Sequence, residues 1–512
     1  MKTTDLSRRG FLKQGGALTA AGTVGTSWML NLATMADAAA AGSTGQYKAL
    51  VCVFLNGGND ACNTVLPLDV DSFNRYKAVR GQSGVGSKSL TLADDANLLP
   101  SITATVVKND VVQAVSYGLH PNLSANVKTL YESGNLAILA NVGTLLSGPL
   151  TRKAFEAQTE AQRPPKLRSH NDQRAEWFSG RSNVELAGWG GRFAEVPDPN
   201  FPDDINNAFR SVAIYSNDLF GYGVKRSPFG ITHIGNGVAP LQIGDVADKL
   251  YGGTAIDNLK NLVQGSAGGA RSNLLEQDYQ GIVKRALAGQ TDMASLIGGV
   301  TLDAVALPKD PAEPPSLPDA QKKDNMLAAQ MKMVARVIQA RISSGQGGRQ
   351  VFFVSLGGFD THTDQKGARG HDYLLSVLDG ALGYFAKVLG NNLKYVTTFT
   401  GSDFGRQLNN NGDGTDHGWG GHHFIMGGAA KDGGQVKGGQ VYGRVPSYAF
   451  VNGQYTDPQM LPDGAMIPVV SVGSYAATLG RWFGVSDADL TTIFPYLYSE
   501  GSASALDVGF MA

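Results

Sequence analysis

Three of the chain's eight histidines fall within eleven residues, "GTDHGWGGHHF", Gly414 to Phe424. Asp416 and His417 sit between glycines, where little side-chain bulk is at hand to bury an imidazole. A carboxylate beside an imidazole on such a turn suits a divalent metal ion. His422 and His423 open an apolar run that reads as a strand. Side chains alternate along a strand, so at most one of these two histidines faces a common site.

Two other loops carry similar chemistry. "SLGGFDTHTDQ" offers Asp360, His362 and Asp364, and "FLNGGNDACN" offers Asn56, Asn59 and Asp60. Oxygen and imidazole donors without a thiolate or thioether cluster favour Zn²⁺, Mn²⁺ or Mg²⁺. Each residue also has a purely structural use: Asp60 as a turn acid, Asp360 as a helix cap, and Asp403 with Arg406 as a salt bridge. A fourth stretch, "KLRSHNDQRAEWFSG", places Ser169 three residues before Asp172 and ends at Gly180, the pattern of a capped helix. The start of a helix is also an anion site, where Ser169 is placed to attack a phosphate or sulfate ester and His170 to hydrogen-bond an ester oxygen.

Elements must bring these loops together. "KALVCVFL", "LAILANVG", "SVAIYS", "QVFFVSLGG", "KYVTTFT" and "HFIMGG" read as buried strands. Leu327, Met331, Val334, Ile338 and Ile342 mark one face of a helix, and "HDYLLSVLDGALGYFAKVLG" reads as another. Strands alternating with helices predict an α/β fold on a mostly parallel sheet, in which loops at the C-terminal strand ends converge. Pro-rich stretches at Gln162–Arg168 and Leu307–Gln321 bracket a Gly-rich middle third, read as an insertion or cap region over roughly residues 181–324 of a single large domain spanning 48–512.

A hydrophobic fraction of 42% and a charged fraction of 17% describe a folded chain, and the formal charge of −1 gives no basic field for nucleic acid. "SRRGFLK" followed by a weakly apolar Gly/Ala/Thr run and "ADAAAAG" reads as a twin-arginine signal peptide, residues 1–38. The expected partner is then the twin-arginine translocase, the destination the periplasm or beyond, and no permanent membrane anchor is expected. Cys52 and Cys62 are spaced for a disulfide in an oxidising compartment or for two buried thiols.

The twin-arginine start with "FLNGGND", "LHPNL", "RSHNDQ", "GGFDTHTDQ", "SDFGR" and "TDHGWGG", in this order, resembles the domain-of-unknown-function 1501 family, itself grouped with the alkaline phosphatase and sulfatase superfamily. The resemblance implies a three-layer alkaline phosphatase/sulfatase-like core and a site for two divalent ions, drawn from zinc, manganese, magnesium or calcium. It assigns Asp360 with His362 to one ion, Asp416 with His417 to the other, Asp60 as a first-strand acid, His422 or His423 as a late ligand, and Ser169 as nucleophile, with Thr144 as its rival. The implied activity is hydrolysis of phosphate or sulfate monoesters, or a related phosphoryl transfer, on a small-molecule or glycan ester. The alternative is an exported binding protein that keeps the fold and a structural metal without catalysis.

Overall fold

The computed structural model describes residues 47–498 and 506–512, apart from 82–87, 109–110, 149, 182–185, 199–207, 217, 235–236, 241–288, 290–291, 303 and 346. The expected signal peptide, residues 1–38, therefore lies outside the described residues. Fifteen strands are described: β1 Lys48–Leu55, β2 Val65–Pro67, β3 Ser101–Lys108, β4 Val111–Leu119, β5 Leu136–Gly143, β6 Ser211–Ile214, β7 Phe229–Ile234, β8 Gly237–Pro240, β9 Arg349–Leu356, β10 Val396–Ser402, β11 Gly421–Met426, β12 Val441–Gly443, β13 Phe450–Val451, β14 Gln454–Tyr455 and β15 Val470–Ser471. The helices used below are α1 Val70–Arg80, α2 His170–Ser179, α3 Trp189–Glu195, α4 Met326–Ser343, α5 His371–Leu389 and α6 Val472–Phe483.

Ten strands form one sheet in the order β12-β5-β11-β10-β1-β9-β6-β7-β8, with β15 also paired to β5. Its centre is parallel: β1 lies between β10 and β9, and Leu55 is in register with both Ser402 and Leu356. β11 runs antiparallel between β10 and β5, and β8 antiparallel to β7. β6, β7 and β8 come from the stretch expected as an insertion, and they extend the sheet by three strands at one edge. A separate sheet, β2-β4-β3, was not apparent in the sequence.

The alternation along β1 separates two cores. Ala49, Val51, Val53 and Leu55 pack toward α4 and α5, while Leu50, Cys52 and Phe54 pack toward α2, α3 and α6. The architecture is therefore a helix–sheet–helix sandwich whose central strands are apolar on both faces, which is why they read as continuous hydrophobic runs. α5 is the one helix among the described residues long and apolar enough to cross a membrane, and its apolar stretch is 67% buried in this core. Cys52 and Cys62 are both buried free thiols, the second of the two readings of that pair.

Since β1, β9, β10 and β5 are parallel, the segments after Leu55, Leu356, Ser402 and Gly143 all leave from one edge of the sheet, and β11 begins there. That edge carries the candidate site.

Candidate metal centre

Local structure explains how the loops approach so closely. Gly57 has φ +114°, and a Cβ on it would lie 2.3 Å from the backbone nitrogen of Asp360. A Cβ on Gly414 would lie 2.2 Å from the carbonyl oxygen of Thr361. Glycine at these two positions lets the loops after β1, β9 and β10 touch backbone to backbone. The segment with Asp416 and His417 is held as a short antiparallel ribbon: Gln407 N–H donates to Asp416 O at 3.0 Å and Gly405 N–H to Trp419 O at 2.9 Å. Trp419 is buried, its indole N–H donating to Thr144 O at 2.9 Å, so it packs the loop.

Four side chains converge. Ligand atoms of His170, Asp360 and His417 lie within 4.8 Å of one another. His362 joins them, its Nε2 at 2.8 Å from His417 Nε2 and 3.4 Å from Asp360 Oδ1. His170 Nε2 is 3.5 Å from Asp360 Oδ2, and His417 Nε2 is 3.3 Å from Asp360 Oδ1.

What the other ring nitrogens do is more telling. His417 Nδ1 is 2.8 Å from the Arg168 carbonyl, His362 Nδ1 is 3.0 Å from Asp416 Oδ1, and His170 Nδ1 is 2.6 Å from Asp403 Oδ2. A carbonyl and two carboxylates only accept, so each Nδ1 carries the hydrogen, and in the neutral ring each Nε2 presents a lone pair. Three lone pairs and a carboxylate thus face one another, and His362 and His417 bring two acceptor nitrogens to 2.8 Å. Such a pair is repulsive unless a proton or a cation lies between. An oxygen acceptor behind each ligating imidazole is the usual outer support of a metal site, so the residues fit a divalent ion.

The electrostatics distinguish the rings. Burial lowers the pKa of His417 and favours its neutral form, whereas the hydrogen bond to Asp403 raises that of His170, so an ion bound there would have to displace a proton from His170 Nε2. Partial burial pushes the Asp360 carboxyl up, but the Arg406 guanidinium beside it more than offsets this, and the acid stays ionised. Asn411 donates to Asp416 Oδ1 at 2.9 Å and holds that carboxyl below its ordinary range. Arg406 is fully buried and donates to Gly57 O, Gly58 O, Phe359 O, Thr415 O and Asp360 Oδ1, clamping all three loops. Arg406 therefore pairs with Asp360, where the sequence had suggested Asp403. Asp403 instead supports His170.

The remaining expected residues go elsewhere. Asp60 is fully buried in an ion pair with Arg80 of α1 and also accepts from Gln365 at 2.6 Å. Burial alone would raise its pKa, and the guanidinium takes it down to about 2. His422 accepts from Asn141 N–H through Nδ1 at 3.0 Å, and His423 packs against Trp177 and Tyr475, so neither joins the cluster. Ser169 is the residue before α2, but its hydroxyl does not cap the helix; it donates to Asp172 Oδ2 at 2.6 Å. The Thr144 hydroxyl donates to Gln173 at 2.6 Å. His170, expected to touch substrate, stands in the group of side chains that could hold an ion. Asp403 directly follows β10, and its place at a central strand end was the signal for it. Its Oδ1 is buried without a hydrogen-bond partner, as is Asn56 Oδ1 at the end of the adjacent β1.

The fold and this cluster define an α/β chain with a candidate His/Asp metal-binding group at the C-terminal edge of its sheet. The family described as "Protein of unknown function (DUF1501)" matches residues 290–493, which hold Asp360, His362, Asp403, Asp416 and His417. No curated protein matches the chain. Among solved structures, the PsFucS1 sulfatase from Pseudoalteromonas sp. matches at 12% identity over 95% of this chain and 77% of that one, with a TM-score of 0.33. Ps i-CgsB in complex with k-i-k-neocarrahexaose matches at 11% identity over 89% and 77%, with a TM-score of 0.30. Likeness at these scores is too distant to transfer a substrate or a mechanism.

Proposed function

We propose that the chain is an exported, metal-dependent hydrolase of phosphate or sulfate monoesters. The observation that carries this reading is the convergence of three Nε2 lone pairs on Asp360, each imidazole backed by an oxygen acceptor. An ion held by His170, His362, His417 and Asp360 would supply a Lewis acid for an ester oxygen. The convergent groups suffice for one ion: Asp416, expected with His417 at a second ion, lies against His362 Nδ1, and the first-strand acid Asp60 and the late His422 are engaged elsewhere.

The chain's own groups then take definite tasks. Ser169 adjoins the ligand His170, and its hydroxyl hydrogen points to Asp172. That carboxylate is placed to accept the proton as Oγ attacks phosphorus or sulfur and the bond to the ester's alcohol oxygen breaks; the alcohol leaves, and water then cleaves the Ser169 ester to release phosphate or sulfate. Because Ser169 does not cap α2, the first-turn N–H groups are left to hydrogen-bond the anionic oxygens of the ester. Export in the folded state by the twin-arginine translocase, to the periplasm or beyond, suits a protein that carries its ion with it.

Protein recovered through its own export route is to be analysed for metal and assayed with p-nitrophenyl phosphate and p-nitrophenyl sulfate. The expected result is about one ion per chain and turnover that chelation abolishes and the ion restores. Full occupancy with no turnover of either ester sinks the hydrolase and leaves a metal-binding protein without catalysis.

A further inference from the structure

A second feature opens on the same sheet edge. A groove of about 430 Å³ is lined by Tyr215, Lys309, Lys322, Lys323, Arg369 and Tyr373, together with two acids, Asp310 and Asp324. Tyr215 directly follows β6, which lies beside β9, and the loop that carries Asp360 and His362 runs on to Arg369. One loop therefore leads from the candidate metal centre to the groove. Neighbouring strands lie about 4.8 Å apart, so the ends of β6 and β1 are roughly 10 Å from each other.

The lining has an excess of cations. Lys309 answers Asp324 at 2.7 Å and Arg369 answers Asp310 at 3.7 Å. Lys322 is left with Asp319, a 79% exposed acid outside the groove, in the kind of surface pair that holds a side chain weakly. Lys323 adds a fourth cation. The aromatic rings are presented deliberately: Tyr215 is 51% exposed and sits at φ +73°, a left-handed conformation strained for a residue with a Cβ. The guanidinium of Arg369 stacks 5.2 Å from the ring of Tyr373.

We infer that this groove binds an acidic saccharide. Tyrosine rings cover the apolar faces of sugar rings, lysine and arginine meet sulfate or carboxylate groups, and the two aspartates accept from sugar hydroxyls. Those same aspartates oppose a nucleic acid, whose backbone charge would lie against them at every unit. The inference stands on the groove and does not depend on the ester chemistry.

Calorimetric titration of the purified protein with sulfated cellotetraose, tetragalacturonate and unmodified cellotetraose tests it. At least one charged tetrasaccharide is expected to bind tenfold or more tighter than the neutral one, and the preferred one names the acidic group. Tyr215→Ala and the double variant Lys322→Glu/Lys323→Glu are each expected to lose tenfold or more in affinity while keeping wild-type metal content, which reports that they fold. Equal binding of charged and neutral sugars, no binding at all, or unchanged affinity in either variant overturns the inference, whatever the aryl-ester assays show.

Discussion

Two groups of histidine and aspartate among the described residues are close enough to hold an ion, and they are built in opposite ways. In the first, every supporting acceptor sits behind Nδ1, and the Nε2 lone pairs of His170, His362 and His417 turn inward. In the second, His120 Nδ1 accepts from Asn122 N–H at 3.1 Å, which obliges Nε2 to carry the hydrogen and donate to Asp372 at 3.0 Å. Lys366 covers both oxygens of Asp372, at 2.9 and 3.2 Å, and His371 Nε2 lies 3.0 Å from the Asn59 amide oxygen. The second group is a structural knot tying the loop after β1 to the start of α5. Residue type and proximity are alike in both; the partner of the other ring nitrogen decides which histidine has an Nε2 free to meet an ion.

The sharpest way to break this comparison is to remove one imidazole from each group. His417→Ala is expected to lose most of its metal and about a thousandfold or more in turnover, because several kcal/mol of charge stabilisation depends on the ion. His120→Ala is expected to keep wild-type metal content and turnover and to melt at a lower temperature. Metal analysis and ester assays on both variants check this. A His120→Ala protein that loses its ion would make the knot part of the metal site.

A smaller effect separates ligand from support at Asp416. If its task is to accept from His362 Nδ1, Asp416→Asn retains an acceptor oxygen and its metal affinity falls only a few-fold. Asp416→Ala removes the support and costs about 10- to 100-fold. Competition with a chromogenic chelator reads both. Equal, large losses in the two variants would return Asp416 to the ligand set that the sequence suggested.

Much of this was legible in the chain itself, for identifiable reasons. β1, β9 and β10 are buried on both faces and therefore spell uninterrupted apolar runs, and α2 is bounded by Ser169 and Gly180, where the helix does begin and end. Asp360, His362, Asp416 and His417 stood out as acids paired with imidazoles in glycine turns. Lone-pair direction leaves no such trace. Asp60 looks like a strand-end ligand until Arg80, twenty residues on, reaches back to it, and Asp403 looks like the partner of Arg406 until His170 arrives from another segment. β2, β3 and β4 stayed hidden because two of them are longer, mixed runs of Thr, Ser and Val without the continuous apolar signature of the central strands.

The knot and the strand behind the site also differ from the metal centre in how they respond to acid. Burial takes the pKa of His371 down to about 3, of His422 to about 4 and of His423 to about 3, from an ordinary 6.5. These rings are neutral in the folded chain and protonated in the unfolded one below pH 6.5, so their contribution is complete above that pH and is lost as pH falls toward 4. Each contributes a slope of about 1.4 kcal/mol per pH unit, and the three together about 4. Denaturant unfolding between pH 6.5 and 4.5 is expected to show this steep loss, and His371→Gln to lower the slope by about one proton's worth. The same slope in wild type and His371→Gln would mean that His371 is already protonated in the folded protein. Its buried Nδ1, which has no hydrogen-bond partner, would then carry a proton facing no acceptor, an arrangement that burial opposes.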